Sequence, residues 1–206
     1  MARSVSNMSA SELFRRASSG DESAFAQLLQ YHRPTLRRMI SLRLDRRIRG
    51  RLDPSDVIQE AFITAARRFS EYVDNPSLPF YLWLRTFAVQ TLINHYRRHL
   101  GAQSRDVARE FTLDGGKMPE ASSAELAGRF LAKGTTPCTA AMREEQRVRL
   151  QEALNQMDPI DREILALRHF EQLSNSDAAT VLGLDKSAAS KRYARALVRL
   201  KTILRN

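Results

Sequence analysis

The sequence has one cysteine, Cys138, among 206 residues. A lone thiol closes no intrachain disulfide and builds no cysteine-rich metal site. It fits a reducing compartment. No long uninterrupted apolar run is present, so no membrane insertion is expected. Met1 to Gly20 is polar and lacks the apolar segment of a secretory signal, which makes the cytoplasm the expected location. The histidines His32, His95, His99 and His169 sit in no ligand spacing, and there is no glycine-rich phosphate loop. No metal or cofactor is therefore expected. No nucleophile is paired with a base, and Asp158 and Asp161 straddle a turn like capping groups. The chain is expected to have no catalytic residues and not to be an enzyme.

Negative charge is scarce as well. Thirty-three Lys and Arg against twenty-three Asp and Glu leave a formal net charge of +10. Such an excess favours an anionic partner, nucleic acid first, although an anionic membrane surface or ribosomal RNA would account for it equally. Hydrophobic content of 43% allows small buried cores, and the length suits one medium domain or two small helical ones.

Apolar residues recur at helical period almost throughout, with no useful strand alternation. Asp21 is placed to cap a helix with Ala24, Phe25, Leu28 and Leu29 on one face; Pro34 should kink or restart it before Leu36, Met39, Ile40 and Leu44. The basic run Arg46 to Arg51, around Gly50, reads as a connection. Asp53-Pro54-Ser55-Asp56 is a strong helix start. Val57, Ile58, Ala61, Phe62, Ala65 and Phe69 form the inner face of that helix, and Asp56, Gln59, Glu60, Ile63 and Arg67 lie opposite. Asp74-Asn75-Pro76 and Pro79 break the chain before a helix from Phe80 to about Leu100.

Residues 101–143, interrupted by Gly115-Gly116, Pro119, Gly134 and Pro137, read as a linker with at most a short helix near Ala124–Ala132. Helicity resumes with a stripe of Val148, Leu150, Leu154 and Met157. Asp158 then caps a helix whose Ile164, Leu165, Leu167 and Phe170 face inward. A short helix from Ser174 ends at Gly183, and Asp185 caps a last helix.

That last pair carries the clearest functional signal. A short helix, the turn Gly183-Leu184-Asp185 and a longer helix make a helix-turn-helix, whose second helix enters the major groove. The second helix carries Lys186, Lys191, Arg192, Arg195, Arg199, Lys201 and Arg205, with no acid after Asp185, as phosphate neutralisation requires. The plainer alternative is a solvated basic face on an ordinary helical hairpin. The candidates for duplex contact are Lys186, Ser187, Ser190, Lys191, Arg192 and Arg195.

Between Tyr72 and Arg98, the aromatics Phe80, Tyr81, Trp83, Phe87 and Tyr96 alternate with Arg85, Gln90, Asn94, His95, Arg97 and Arg98. Flat rings among basic and amide groups suit single-stranded nucleic acid. Trp83 fits helix core as well as base contact. Asn75, Tyr81, Trp83, Gln90, Asn94, Arg97 and Arg98 are the candidates. The face carrying Asp56, Gln59, Glu60 and Ile63 is acidic and partly apolar, and suits a protein partner or a merely solvated surface.

The run Asp56-Val57-Ile58-Gln59-Glu60-Ala61-Phe62 resembles the region-two helix of sigma factors of the extracytoplasmic-function (ECF) type, in the sigma-70 family. Phe80-Tyr81-Leu82-Trp83-Leu84 with Asn94-His95-Tyr96-Arg97-Arg98 is similar to that family's promoter-melting helix. Leu173-Ser174 through Ala179, Leu182-Gly183 and Arg192 to Leu200 resemble its region four. The resemblance implies an all-α chain of two small helical domains joined by a flexible linker. Residues 1–100 would be the region-two-like domain, 101–143 the linker and 144–206 the region-four-like helix-turn-helix domain. It implies docking on the clamp and flap of core RNA polymerase, with Asp56, Gln59, Glu60 and Ile63 on the clamp side. Minus-ten recognition and opening would fall to Phe80–Arg98 and the loop before it, and minus-thirty-five recognition to the last helix. Promoter DNA is the second partner, and an anti-sigma factor is a further one that the resemblance allows. Gln90 and Asn94 stand where the family often has Asn and Asp, and Tyr193 and Ala194 also depart from its common residues, which bears on promoter sequence. Two rivals remain: a dimeric helix-turn-helix regulator, which leaves the Asp56–Glu60 face without a role, and an enzyme acting on nucleic acid, which needs a carboxylate cluster or nucleophile.

Overall fold

The computed structural model describes residues 9–44, 48–100, 119–132 and 140–205. Cys138, Gly115-Gly116 and the Arg46 part of the basic run lie outside the described residues. The helices are α1 (Ala10–Ser18), α2 (Glu22–Arg43), α3 (Pro54–Arg67), α4 (Phe69–Asp74), α5 (Phe80–Leu100), α6 (Ser123–Ala132), α7 (Ala140–Asn155), α8 (Pro159–Leu165), α9 (Asn175–Leu182) and α10 (Lys186–Arg205), with a π-helical turn at Ala166–Phe170. No strand occurs among the described residues.

Short polar side chains start most of these helices by accepting from otherwise unpaired amides. Asp21 accepts from the Ala24 amide at 2.9 Å, Asp158 from Ile160 at 2.8 Å, Ser174 from Asp177 at 3.0 Å and Asp185 from Ala188 at 2.8 Å. At α3 the cap is reciprocal: Asp53 accepts from Ser55, and Asp56 accepts from the Asp53 amide. Pro34, expected to kink or restart α2, does not restart it; one helix runs through it. The proline removes one backbone bond, but Leu29 on one side and Leu36, Met39 and Ile40 on the other share one core, which keeps the helix continuous.

The N-terminal core joins Leu36, Met39 and Ile40 of α2, Val57, Ile58 and Ala61 of α3, and Leu84, Ala88 and Leu92 of α5. Each fully buried Leu or Ile contributes about 1.5–3 kcal/mol. α1, which sequence periodicity passes over, packs Leu13 and Ala17 on Ala24 and Leu28. Phe69 belongs to the separate short helix α4 rather than to the expected inner face of α3, because α3 ends at Arg67. The C-terminal core gathers Leu150, Leu154, Leu165, Phe170, Ala196 and Leu200, with Leu126 and Ala127 of α6 and Leu42 of α2. Val148, expected inside, is 41% exposed; Leu150, Leu154 and Met157 carry that stripe inward.

Candidate nucleic-acid interface

The helix-turn-helix is built by its backbone. Gly183 takes φ +63°, the left-handed region. The Leu184 amide donates to Ala179 O at 3.0 Å and the Gly183 amide to Thr180 O at 3.3 Å, a doubly bonded stop that turns the chain sharply. Ala179 and Ala189 then meet across the crossing, against Ile164. With Ala189, Ala196 and Leu200 facing in, α10 turns Lys186, Ser187, Ser190, Lys191, Ala194 and Arg195 to solvent. Arg192 differs. Its guanidinium donates to Asp161 Oδ1 at 2.8 Å and lies 3.8 Å from Asp158, and the Asp161 hydrogen bond raises its pKa further. Of the six residues expected here, five are open and Arg192 is tied to α8.

The residues expected along α5 divide into three groups. Gln90, Arg97 and Arg98 are exposed and Asn94 is half-buried; Gln90 donates to Asn94 Oδ1 at 3.1 Å, so the two amides form one polar row. Trp83 is half-buried in an aromatic cluster, stacked on Tyr72 at 4.5 Å and edge-on to Phe87 at 4.9 Å. Its contacts are those of core. Tyr81 points the other way, donating to Glu171 Oε2 at 3.2 Å. Burial and the Glu171 charge push its phenol well above the usual 10. Asn75 is exposed at the end of α4.

Asp56, Gln59, Glu60 and Ile63 form one exposed row on α3, with Ile63 54% exposed. Glu60 also faces α5: its carboxylate lies 2.9 Å from His95 Nε2 and 3.9 Å from Arg98. The α3 row and the basic end of α5 are therefore neighbours.

Sequence reasoning missed one cluster. Arg43, Arg85 and Glu171 are 2%, 6% and 2% exposed. Arg43 Nη1 lies 3.0 Å from Glu171 Oε1 and Arg85 Nε 2.8 Å from Glu171 Oε2; Arg43 also pairs with Glu163. Burial would raise the Glu171 carboxyl, but Arg85 and Arg43 outweigh it and hold the carboxyl below its ordinary value. The only sequence signal was a charge at an apolar-stripe position, as in Leu42-Arg43-Leu44 and Leu84-Arg85. Among the described residues, no group of three His, Cys, Asp or Glu is placed to hold a metal ion. No helix there is long and apolar enough to cross a membrane.

Residues 7–205 match a family model described as "ECF sigma factor". The chain is 26% identical over 194 residues to the RNA polymerase sigma factor CnrH of Cupriavidus metallidurans, spanning 93% of this chain and 92% of that one. It is 28% identical over 186 residues to the RNA polymerase sigma-H factor of Pseudomonas aeruginosa, spanning 90% and 88%. Among solved structures, CnrH in complex with the cytosolic domain of CnrY is similar in fold, with a TM-score of 0.51 at 24% identity over 93% of this chain and 94% of that one.

Proposed function

The chain belongs to the ECF sigma factor family, and from that premise we propose which of its faces performs each part of transcription initiation. It is an RNA polymerase sigma factor. Residues 1–100 form the unit that docks on core polymerase and opens the minus-ten element. Residues 144–206 read the minus-thirty-five element, and 101–143 connect them. The α3 row Asp56, Gln59, Glu60 and Ile63 meets the polymerase clamp, where an acidic, partly apolar surface suits protein and would repel phosphate. Lys186, Ser187, Ser190, Lys191 and Arg195 of α10 enter the upstream major groove. The exposed row Gln90, Asn94, Arg97 and Arg98 holds separated bases and their phosphates. The duplex opens because the melted form binds more tightly than the closed one. All of this is binding, with no bond made or broken by the chain. An anti-sigma factor belongs to the partner set on the family's account alone.

The observation that carries this reading is the separation of two exposed faces: an acidic and apolar row on α3, and a row on α10 with no acid in its helix. Run-off transcription with purified core polymerase on a promoter library tests it. Start sites that depend on this chain are expected. Their absence, with the protein folded and duplex binding intact, would favour an ordinary helix-turn-helix regulator.

A further inference from the structure

One cavity away from the α3, α5 and α10 faces carries positive charge that no described carboxylate balances. It has a volume of about 300 Å³ and is lined by Arg38 of α2, Arg129 and Ala132 of α6, and His169, Phe170 and Gln172 at the π-helical turn. Both arginines are half-buried. Arg38 is held in place: Nε donates to Phe170 O at 2.8 Å and Nη2 to Thr35 Oγ1 at 2.9 Å. Those acceptors are neutral, so its charge is oriented but not cancelled. Arg129 makes no hydrogen bond or ion pair among the described residues. Glu125, on the same helix, is engaged by Arg49 at 2.7 Å. Burial first, and then Arg49 and Arg38, push the Arg129 guanidinium below its ordinary value, with Glu125 alone opposing them. Two like charges drawn partly out of water are relieved together by one anion.

The rest of the wall fits an organic group. Phe130 stands edge-on to Phe170 at 5.0 Å and to His169 at 5.4 Å, so both lining rings are fixed. Gln172 takes φ +58° and is the only non-glycine residue at positive φ among the described residues. The Leu173 amide, donating to Leu167 O at 3.0 Å, holds it there. A glycine would make this turn without strain; a glutamine sets an amide beside the two guanidiniums, and such strain gathers at ligand sites.

We propose that this cavity binds a small phosphate monoester bearing a flat ring, of the nucleoside monophosphate class. The phosphate lies between Arg38 and Arg129, whose planar guanidiniums bond phosphate oxygens in pairs. The ring lies against Phe170 and Ala132, and the Gln172 amide meets its polar edge. Charge selects the monoester. At neutral pH it carries about −1.5 to −2, matching two guanidiniums, whereas a triphosphate brings charge that no other described lining group meets. Size agrees, since small-molecule sites begin at about 300 Å³. The site is independent of the sigma-factor reading and uses none of the faces assigned there.

Isothermal titration of the full chain with AMP and with UMP tests it, with adenosine and inorganic phosphate alongside. One monophosphate should bind per chain, adenosine should not bind detectably, and inorganic phosphate should bind at least about tenfold more weakly. Arg129→Gln should raise the monophosphate Kd by about tenfold or more. Because Arg129 has no partner to lose, that variant should keep or raise the thermal midpoint of the unliganded protein. If it fails to fold, Arg129→Lys, which keeps the charge but not the paired geometry, replaces it and should weaken binding by less. Lys191→Ala with Arg195→Ala, on α10, should leave binding unchanged. No saturable binding of either monophosphate would overturn the site, as would equal binding of adenosine or inorganic phosphate. So would binding that survives Arg129→Gln but is lost with the α10 pair, which would mark diffuse attraction to a chain of net charge +10.

Discussion

α5 and α10 are nearly equal in length and both carry arginines, yet they are used in opposite ways. α5 runs through the N-terminal core: Leu84, Ala88, Leu92, Ile93 and Tyr96 are buried, and even Arg85 lies inside. Only its last turns offer a polar row. α10 buries a single stripe, Ala189, Ala196 and Leu200, and leaves Val198 65% exposed. On the proposed function, a helix that holds separated strands needs a rigid frame, and a helix that lies in a groove needs a free, charged flank. The same residue type therefore sits differently in each: Arg85 neutralises a buried carboxylate, whereas Arg195 is open to solvent.

The comparison breaks most severely in the core. Leu92→Ala should cost about 2–5 kcal/mol, while Val198→Ala should change stability by less than ~0.5 kcal/mol; urea unfolding of the two variants checks this. Equal effects would mean that α5 is not the frame. Next in size is the response of the buried Arg43–Glu171–Arg85 cluster to acid. Glu171, faced by Arg43, Arg85, Glu163 and Tyr81, has its carboxyl held below 4.5. A depressed acid contributes stability that is present above its ordinary pKa and is lost as pH falls through the lowered value. Tyr81 keeps its proton through neutral pH. The stability this cluster contributes should therefore be constant from about pH 6 to 9 and weaken below about 4.5, read as urea unfolding at a series of pH values.

A smaller effect tests the flank. Lys191→Ala with Arg195→Ala should reduce the salt slope of upstream duplex binding by about two. Adding Arg192→Ala should change that slope less than either of the others, because its guanidinium is held by Asp161. A filter-binding titration between low and moderate salt gives the slopes. The smallest change is local to the turn: Gly183→Ala should cost about 1 kcal/mol. An added Cβ meets nothing within 4 Å, so only the left-handed backbone opposes it; thermal unfolding measures the loss.

Helix starts were legible because capping is local chemistry: Asp21, Asp53, Asp158, Ser174 and Asp185 each bond to an amide two or three residues on. The helix-turn-helix was legible for the same reason, since a glycine stop and acid-free charge are properties of adjacent residues. A restart at Pro34 is what local geometry alone suggests; tertiary packing on both sides keeps α2 continuous. Trp83 was undecidable because its neighbours Tyr72 and Phe69 come from a helix that periodicity merged with α3. The pairing of Arg85 with Glu171 spans 86 residues, and no local pattern records it. The Arg192 pairing is hidden for a related reason: Asp161, which the sequence presents as a capping group, lies 31 residues away.

The wide turn at Ala166–Phe170 sets the azimuth of everything downstream. Each residue of an α-helix advances about 100° around the axis. Deleting one residue there would tighten the coil and swing the following carboxylate roughly a third of a revolution from its guanidiniums. Spacing, more than side-chain identity, is what aims that group. Substitutions at the half-buried Arg168 and His169 should be tolerated better than single-residue deletions, whereas Ala166, Leu167 and Phe170 are core.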